Sequence, residues 1–170
     1  MKFLELAESR FSVRKFSDNK IEKEKIDRIL RAGQVAPTAC NSQPQKVLVL
    51  QSDEALEKWT KCTPCHFNEQ LVMIVCFDTS VTWKRQYDGQ DSGYMDASIV
   101  NTHLMLAAAD DGIGSCWVMM FDPEKVREEF NLPENLVPVS ALPMGYAAAD
   151  AKPAKLHTDK KPLEETTIYF

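Results

Sequence analysis

The chain has 170 residues, 44% of them apolar by the set AVILMFWYC and 26% charged. That is enough for one packed core and carries no signature of disorder. Twenty Lys and Arg against 25 Asp and Glu give a net charge of −5, opposite in sign to the footprint of a nucleic-acid or anionic-membrane binder. The longest unbroken apolar run, residues 71–77, falls far short of the ~20 residues a membrane helix needs. The start, Met1-Lys2-Phe3-Leu4-Glu5, becomes charged too early for an export signal, so a cytoplasmic setting is expected. Cys40, Cys62, Cys65, Cys76 and Cys116 make an odd set, for which reduced thiols are expected rather than a disulfide framework. The length predicts a single domain over residues 1–170.

Taken in chain order, Phe3, Leu6 and Ala7 recur at helical spacing and predict a helix over 2–9. Ser17-Asp18 reads as the entry to a second helix at 22–32, with Ile26, Ile29 and Leu30 on one face and Gly33 as its C-terminal cap. A turn-rich stretch, Ala36 to Pro44, follows. Residues 47–50 and 71–77 are apolar runs of strand length, expected to be buried on both faces. Residues 53–61 between them read as helix. Residues 94–110 hold no Gly or Pro and are apolar on nearly all sides. A helix of that kind is buried, here either at the centre of the domain or against a partner subunit. Residues 116–121 read as a strand. Asp122-Pro123 opens a further helix to about Phe130, with Asp as N-cap and Pro at the first helical position. Residues 137–142 read as a strand. The polar tail 147–170 ends in a β-favouring piece at 166–170 and has little core of its own, so it is expected to pack on something else. Strands and helices mix without strict βαβ alternation, and the class is α+β.

Two stretches suggest a binding site. If Arg10 to Phe16 is extended, Arg10, Ser12 and Arg14 share one side. Two guanidiniums and a hydroxyl suit a phosphate, because Arg offers paired donors in a fixed fork; taken alone, the stretch also reads as a solvated charged face. The small and amide side chains of 37–44 allow a ligand close to the backbone, or make an ordinary loop.

These stretches, with Asp96-Ala97-Ser98-Ile99, Gly112 to Val118, Met144-Gly145-Tyr146 and the tail Lys160-Lys161-Pro162-Leu163-Glu164-Glu165, resemble the nitroreductase family in its short single-domain form. The resemblance spans essentially the whole chain. It implies an α/β/α three-layer sandwich with a mainly antiparallel mixed sheet, a homodimer with FMN at the subunit interface, and a C-terminal tail packed on the partner. By the same resemblance, Arg10 and Ser12, flanked by Phe11, meet the FMN phosphate with Lys160 or Lys161. Arg14 lies toward the N1/O2 edge of the flavin. Pro37, Thr38, Ala39 and Asn41 come from the other subunit, Gln43 is a further cofactor contact, and the backbone of Trp117, Val118, Met119 and Met120 passes the N5 side. Relatives often have Arg where Lys160 stands and a small residue near Met120. The implied activity is NAD(P)H oxidation, hydride passing through flavin N5 to nitroaromatic, quinone-like or other conjugated acceptors, with no protein residue doing the redox chemistry itself. The alternative on the same scaffold is a flavin store or partner-fed electron carrier.

Competing signals are weaker. Cys62-Thr63-Pro64-Cys65-His66 matches a haem-attachment pattern but lacks an export signal and a second ligand; it reads as two ordinary thiols or a redox dithiol. Gly112-x-Gly114 lacks the remainder of a dinucleotide fingerprint. His103 reads as a core or interface histidine. Residues 83–89 either cover the substrate side or form a surface loop.

Overall fold

The computed structural model describes residues 2–170. Its elements run α1 (Phe3–Ser9), α2 (Lys23–Gln34), β1 (Gln45–Leu50), α3 (Asp53–Cys62), β2 (Leu71–Asp78), α4 (Gly93–Asp110), β3 (Gly114–Ser115), α5 (Pro123–Glu129), β4 (Leu136–Gly145) and α6 (Leu163–Thr166). The strands form an antiparallel sheet in the order β1-β2-β4-β3. One face packs on α2 and α4 through Ile26, Ile29, Met73, Val75, Val100, Leu104 and Leu142. The other packs on α3 and α5 through Trp59, Val72, Ile74, Val126 and Ala141. The result is the three-layer α+β sandwich expected.

Local chemistry sets the element ends. The Asp122 side chain accepts from the N–H groups of Glu124 and Lys125, and Pro123 opens α5. Ser52 caps α3 by accepting from Ala55 N–H. β2 is the central strand and is buried on both faces. Pairing of β2 with β4 shifts between Val75 and Cys76, where β4 carries an extra residue at Val139 beside Pro138, as a bulge next to a proline requires.

Several elements depart from expectation. β1 lies at the sheet edge and is only partly buried, with Val49 38% exposed, so its apolar run does not mean burial on both faces. α2 starts where expected, at Lys23, but its N-cap is Glu22 rather than Ser17-Asp18, and it runs past Gly33 to Gln34. Gly33 does not cap the helix. It lets α2 approach α4, since a Cβ there would sit 2.6 Å from Leu104 Cδ2. The strand expected at 116–121 is confined to Gly114–Ser115 plus a single bridge from Val118 to Ala141. Cys116 N–H donates to the Pro143 carbonyl at 3.1 Å, but proline has no N–H to return and the ladder breaks there. Residues 166–170 form no strand; α6 ends at Thr166 and the rest is irregular, because β propensity needs a neighbouring strand to be realised. α4 is buried along the side facing α2 and the sheet, yet leaves Tyr94 and Met95 more than half exposed.

Candidate functional site

The chain leaves α1 extended at Arg10. Ser12 bridges in parallel to Ser115, and Val13 N–H donates to the Ser115 carbonyl at 3.0 Å. This close approach depends on Gly114, where a Cβ would stand 2.7 Å from Val13 Cγ2. Val13 is buried, so its neighbours Ser12 and Arg14 are turned the other way, as alternation in an extended chain requires. They enter a cleft of ≈ 210 Å³ lined by Arg10, Phe11, Ser12, Arg14, Leu156, His157 and Lys160. The N-terminal segment and the tail thus meet within one chain. Of the two tail lysines, Lys160 lines the cleft and Lys161 does not.

Among the described residues, none of Arg10, Arg14 and Lys160 has a carboxylate within 4 Å. The Arg14 guanidinium makes only a long contact, 3.4 Å, to the Ser12 carbonyl. Gathering like charges without counter-charges is unfavourable unless an anion joins them. Beneath the cluster, burial pushes the Cys116 thiol up, while Arg14, Ser12 and Arg10 pull it the other way. The cleft can therefore hold a phosphate or similar anion, with arginine forks and the serine hydroxyl as donors.

The loop 37–44 lies apart from this cleft in the single chain. Cys40, Asn41 and Gln43 all have left-handed φ, 51°, 53° and 49°, a conformation that costs ordinary residues energy and persists only where surroundings enforce it. The enforcing contacts are clear. Buried Asp96 accepts from Ala39 N–H and from the Ser92 hydroxyl, each at 2.8 Å, and the Thr38 hydroxyl accepts from Gln43 N–H at 3.0 Å. Pro37, Asn41 and Gln43 remain exposed while Thr38 and Ala39 are half-buried.

Trp117 is half-buried and packs on the α2/α4 core, and Val118 is buried on the other side of the sheet. Met119 and Met120 are 69% and 68% exposed. Their loop is tied to the Cys62–Cys65 segment: the Thr63 hydroxyl donates to the Met120 carbonyl at 2.6 Å, and Asp122 N–H donates to the Cys62 carbonyl at 2.8 Å. The Cys62 thiol donates to the Lys58 carbonyl at 3.4 Å and is pushed up by burial and by Glu129 and Asp122. A thiol held protonated in this way is a poor nucleophile, and the segment serves as a brace for the 119–122 loop. Among the described residues, no three His, Cys, Asp or Glu side chains gather as a metal site.

Two residues with roles here escape sequence reasoning. Asp96 opens one of the stretches that carry the family resemblance and the first turn of α4, but nothing in the sequence tells that it grips Ala39. His157 is a lone histidine in a polar tail, and only folding brings it beside Arg10.

Fold and cleft define an α+β protein with a cationic cleft at the junction of its N-terminal and C-terminal segments. The chain matches the nitroreductase family over residues 7–65 and 60–146, and it belongs to that family. A nitroreductase family protein from Clostridium difficile is 39% identical, with a TM-score of 0.94 over 99% of this chain and 98% of that one. A Methanothermobacter thermautotrophicus protein, provisionally named an NADH dehydrogenase/NAD(P)H nitroreductase, is 30% identical across 94% of this chain and 88% of its own length. An FMN-dependent nitroreductase from Clostridium difficile superposes with a TM-score of 0.79 at 25% identity, over 99% of this chain and 98% of that one.

Proposed function

We propose that this protein is an FMN-dependent NAD(P)H oxidoreductase acting on nitroaromatic, quinone-like or other conjugated acceptors, with FMN held between two subunits. The observation that carries the reading is the cleft in which Arg10, Arg14 and Lys160 converge with the Ser12 hydroxyl and find no counter-charge. That donor set fits the flavin phosphate, and the relatives named for FMN and NAD(P)H agree with it.

Bound FMN supplies a two-electron carrier able to accept and return a hydride. The chain's own residues bind and orient it. Arg10, Ser12 and Lys160 neutralise the phosphate, with Phe11 walling the cleft. Arg14, the more exposed of the two guanidiniums on this segment, would be free to reach past the phosphate and supply a fixed positive charge to the flavin. The rigid loop of Pro37, Thr38, Ala39, Asn41 and Gln43 offers its polar groups across the subunit boundary. The 117–120 backbone, braced by Thr63, would supply main-chain groups to the flavin. Met119 and Met120 then form an apolar margin where flat acceptors stack.

Dimerisation has support of its own. The chain exposes 10472 Å², against roughly 8,500 Å² for a compact monomer of its mass. The surplus, about 2,000 Å² by that relation, has the size of an obligate interface. It includes Leu163, Ile168, Tyr169 and Phe170, all more than three-quarters exposed. A groove lined by Phe3, Leu6, Thr102, His103 and Leu106 lies open to receive a partner's tail.

The test is direct. Purified protein should be yellow, size as a dimer, and bleach anaerobically with NADH or NADPH, then recover colour on adding a nitroaromatic or quinone. A preparation that stays colourless and ignores added FMN refutes the reading. Flavin bound tightly without turnover would instead identify a store or carrier.

A further inference from the structure

We propose that His157 is a fourth ligand of the phosphate cleft, one whose grip strengthens when its imidazole is protonated. The inference rests on reading the cleft as the FMN phosphate site. Between residues 152 and 170, every residue is exposed except His157. It is the point at which the tail docks on the body of the chain. It docks edge-on against Phe11, with ring centroids 6.3 Å apart and planes at 69°. The short helical turn Lys155–His157 sets this position, with His157 N–H donating to the Ala154 carbonyl at 2.9 Å.

His157 lines the cleft with Arg10, Ser12, Arg14 and Lys160, and it lines an adjoining recess of ≈ 320 Å³ with Glu8, Arg10, Thr158 and Lys160. Neither nitrogen of the His157 ring has a hydrogen-bond partner in the protein among the described residues. An aromatic ring used only as packing would serve as well without nitrogens. Here they share a cleft with the Ser12 hydroxyl and three cations that, among the described residues, have no carboxylate within 4 Å. The charged groups facing His157 are Arg10, Arg14 and Lys160, with Glu8 on α1 at the rim of the outer recess.

The physical consequence is a coupling between proton and anion. Imidazoles change charge between pH 5 and 8. A bound phosphate dianion attracts a cationic imidazole beside it. Binding of phosphate and uptake of a proton by His157 then favour each other, by linkage. Arg10, Arg14 and Lys160 keep their charge throughout this range, so His157 supplies the part of the grip that varies with pH.

The experiment titrates flavin-free full-length protein with FMN and with riboflavin, which lacks the phosphate, following flavin fluorescence from pH 5.5 to 8.0. His157→Gln should weaken FMN about fivefold at the acid end, and the gap should shrink toward pH 8. Riboflavin affinity should be the same in both proteins at every pH. A loss that is equal for both flavins, or constant with pH, assigns His157 to anchoring the tail and overturns the proposal. A second measurement needs no variant: the His157 ring proton resonance of the wild-type chain should titrate at higher pH with FMN than with riboflavin. An unmoved resonance also overturns it. If FMN does not bind the wild-type protein at all, the flavin reading itself falls, and this inference with it.

Discussion

Arg10 stands at the boundary between α1 and the extended segment, where one side chain meets both ends of the fold. Its guanidinium has no carboxylate within 4 Å among the described residues, so replacing it removes repulsion from the free protein and attraction from the complex. Arg10→Ala should therefore weaken FMN binding by about 10- to 100-fold, since hydrogen bonds to charged groups contribute ~1.5–3 kcal/mol. Its flavin-free melting temperature should hold steady or rise. Fluorescence titration and calorimetry check both halves, and a melting temperature that falls with affinity would make Arg10 structural instead. Asp96 is the converse case. It is buried with both oxygens engaged, and its work is to hold Ala39 and the left-handed turn that follows.

At the scale of elements, the end of β4 is tied to α2 by a relay rather than by packing alone. The Tyr146 hydroxyl donates to Glu22 at 2.6 Å and accepts from the Lys25 ammonium at 2.8 Å, and Lys25 also caps α4 by donating to the Asp111 carbonyl at 3.1 Å. The tyrosine hydrogen bond is the main cause holding the Glu22 carboxyl below its usual range. A carboxylate lowered in the folded state contributes stability above its unfolded pKa and loses it as pH falls through the folded value. Tyr146→Phe should thus lower the melting temperature at pH 7 and flatten its decline between about pH 5 and pH 3, the window set by a lowered glutamate near 4.3 unfolded. Lys25, raised chiefly by the same hydroxyl, acts with opposite sign. Its contribution is present at neutral pH and lost only as pH rises past the lysine range. Melting curves of both proteins across this range decide it; parallel acid limbs would show that Glu22 gains nothing from Tyr146. The start of α4 depends on a different device. A Cβ at Gly93 would stand 2.3 Å from the Phe77 ring, so α4 can begin against β2 only with glycine there.

For the whole molecule, the tail is the telling part. Leu163, Ile168, Tyr169 and Phe170 cover none of their own chain's core, with Phe170 fully exposed. Removing residues 163–170 should leave secondary structure intact while shifting the proposed dimer to a monomer. The interface would lose area worth roughly 25 cal/mol per Å² of apolar surface. Light scattering at micromolar concentration reads the outcome, and a truncated chain that stays dimeric would place the interface on α4 and its exposed Tyr94, Met95 and Ile99 alone.

Local chemistry made much of this molecule legible from its residues. Asp122-Pro123 announces α5, the apolar run before Asp78 announces β2, and Arg10-x-Ser12-x-Arg14 announces side chains that share one face, because caps, periodicity and alternation act within a few residues. Other features were settled only when distant segments met. Gly33 reads as a helix end and proves to be a contact with α4; 116–121 reads as a strand, but Pro143 across the ladder has no N–H to give; 166–170 reads as a strand and finds no neighbour. The same holds at the cleft. Arginines and a serine declare their chemistry in sequence, whereas the choice of Lys160 over Lys161, and the arrival of His157 against Phe11, follow from where the tail docks. That is a free energy summed over contacts far apart along the chain, which no short window of sequence contains.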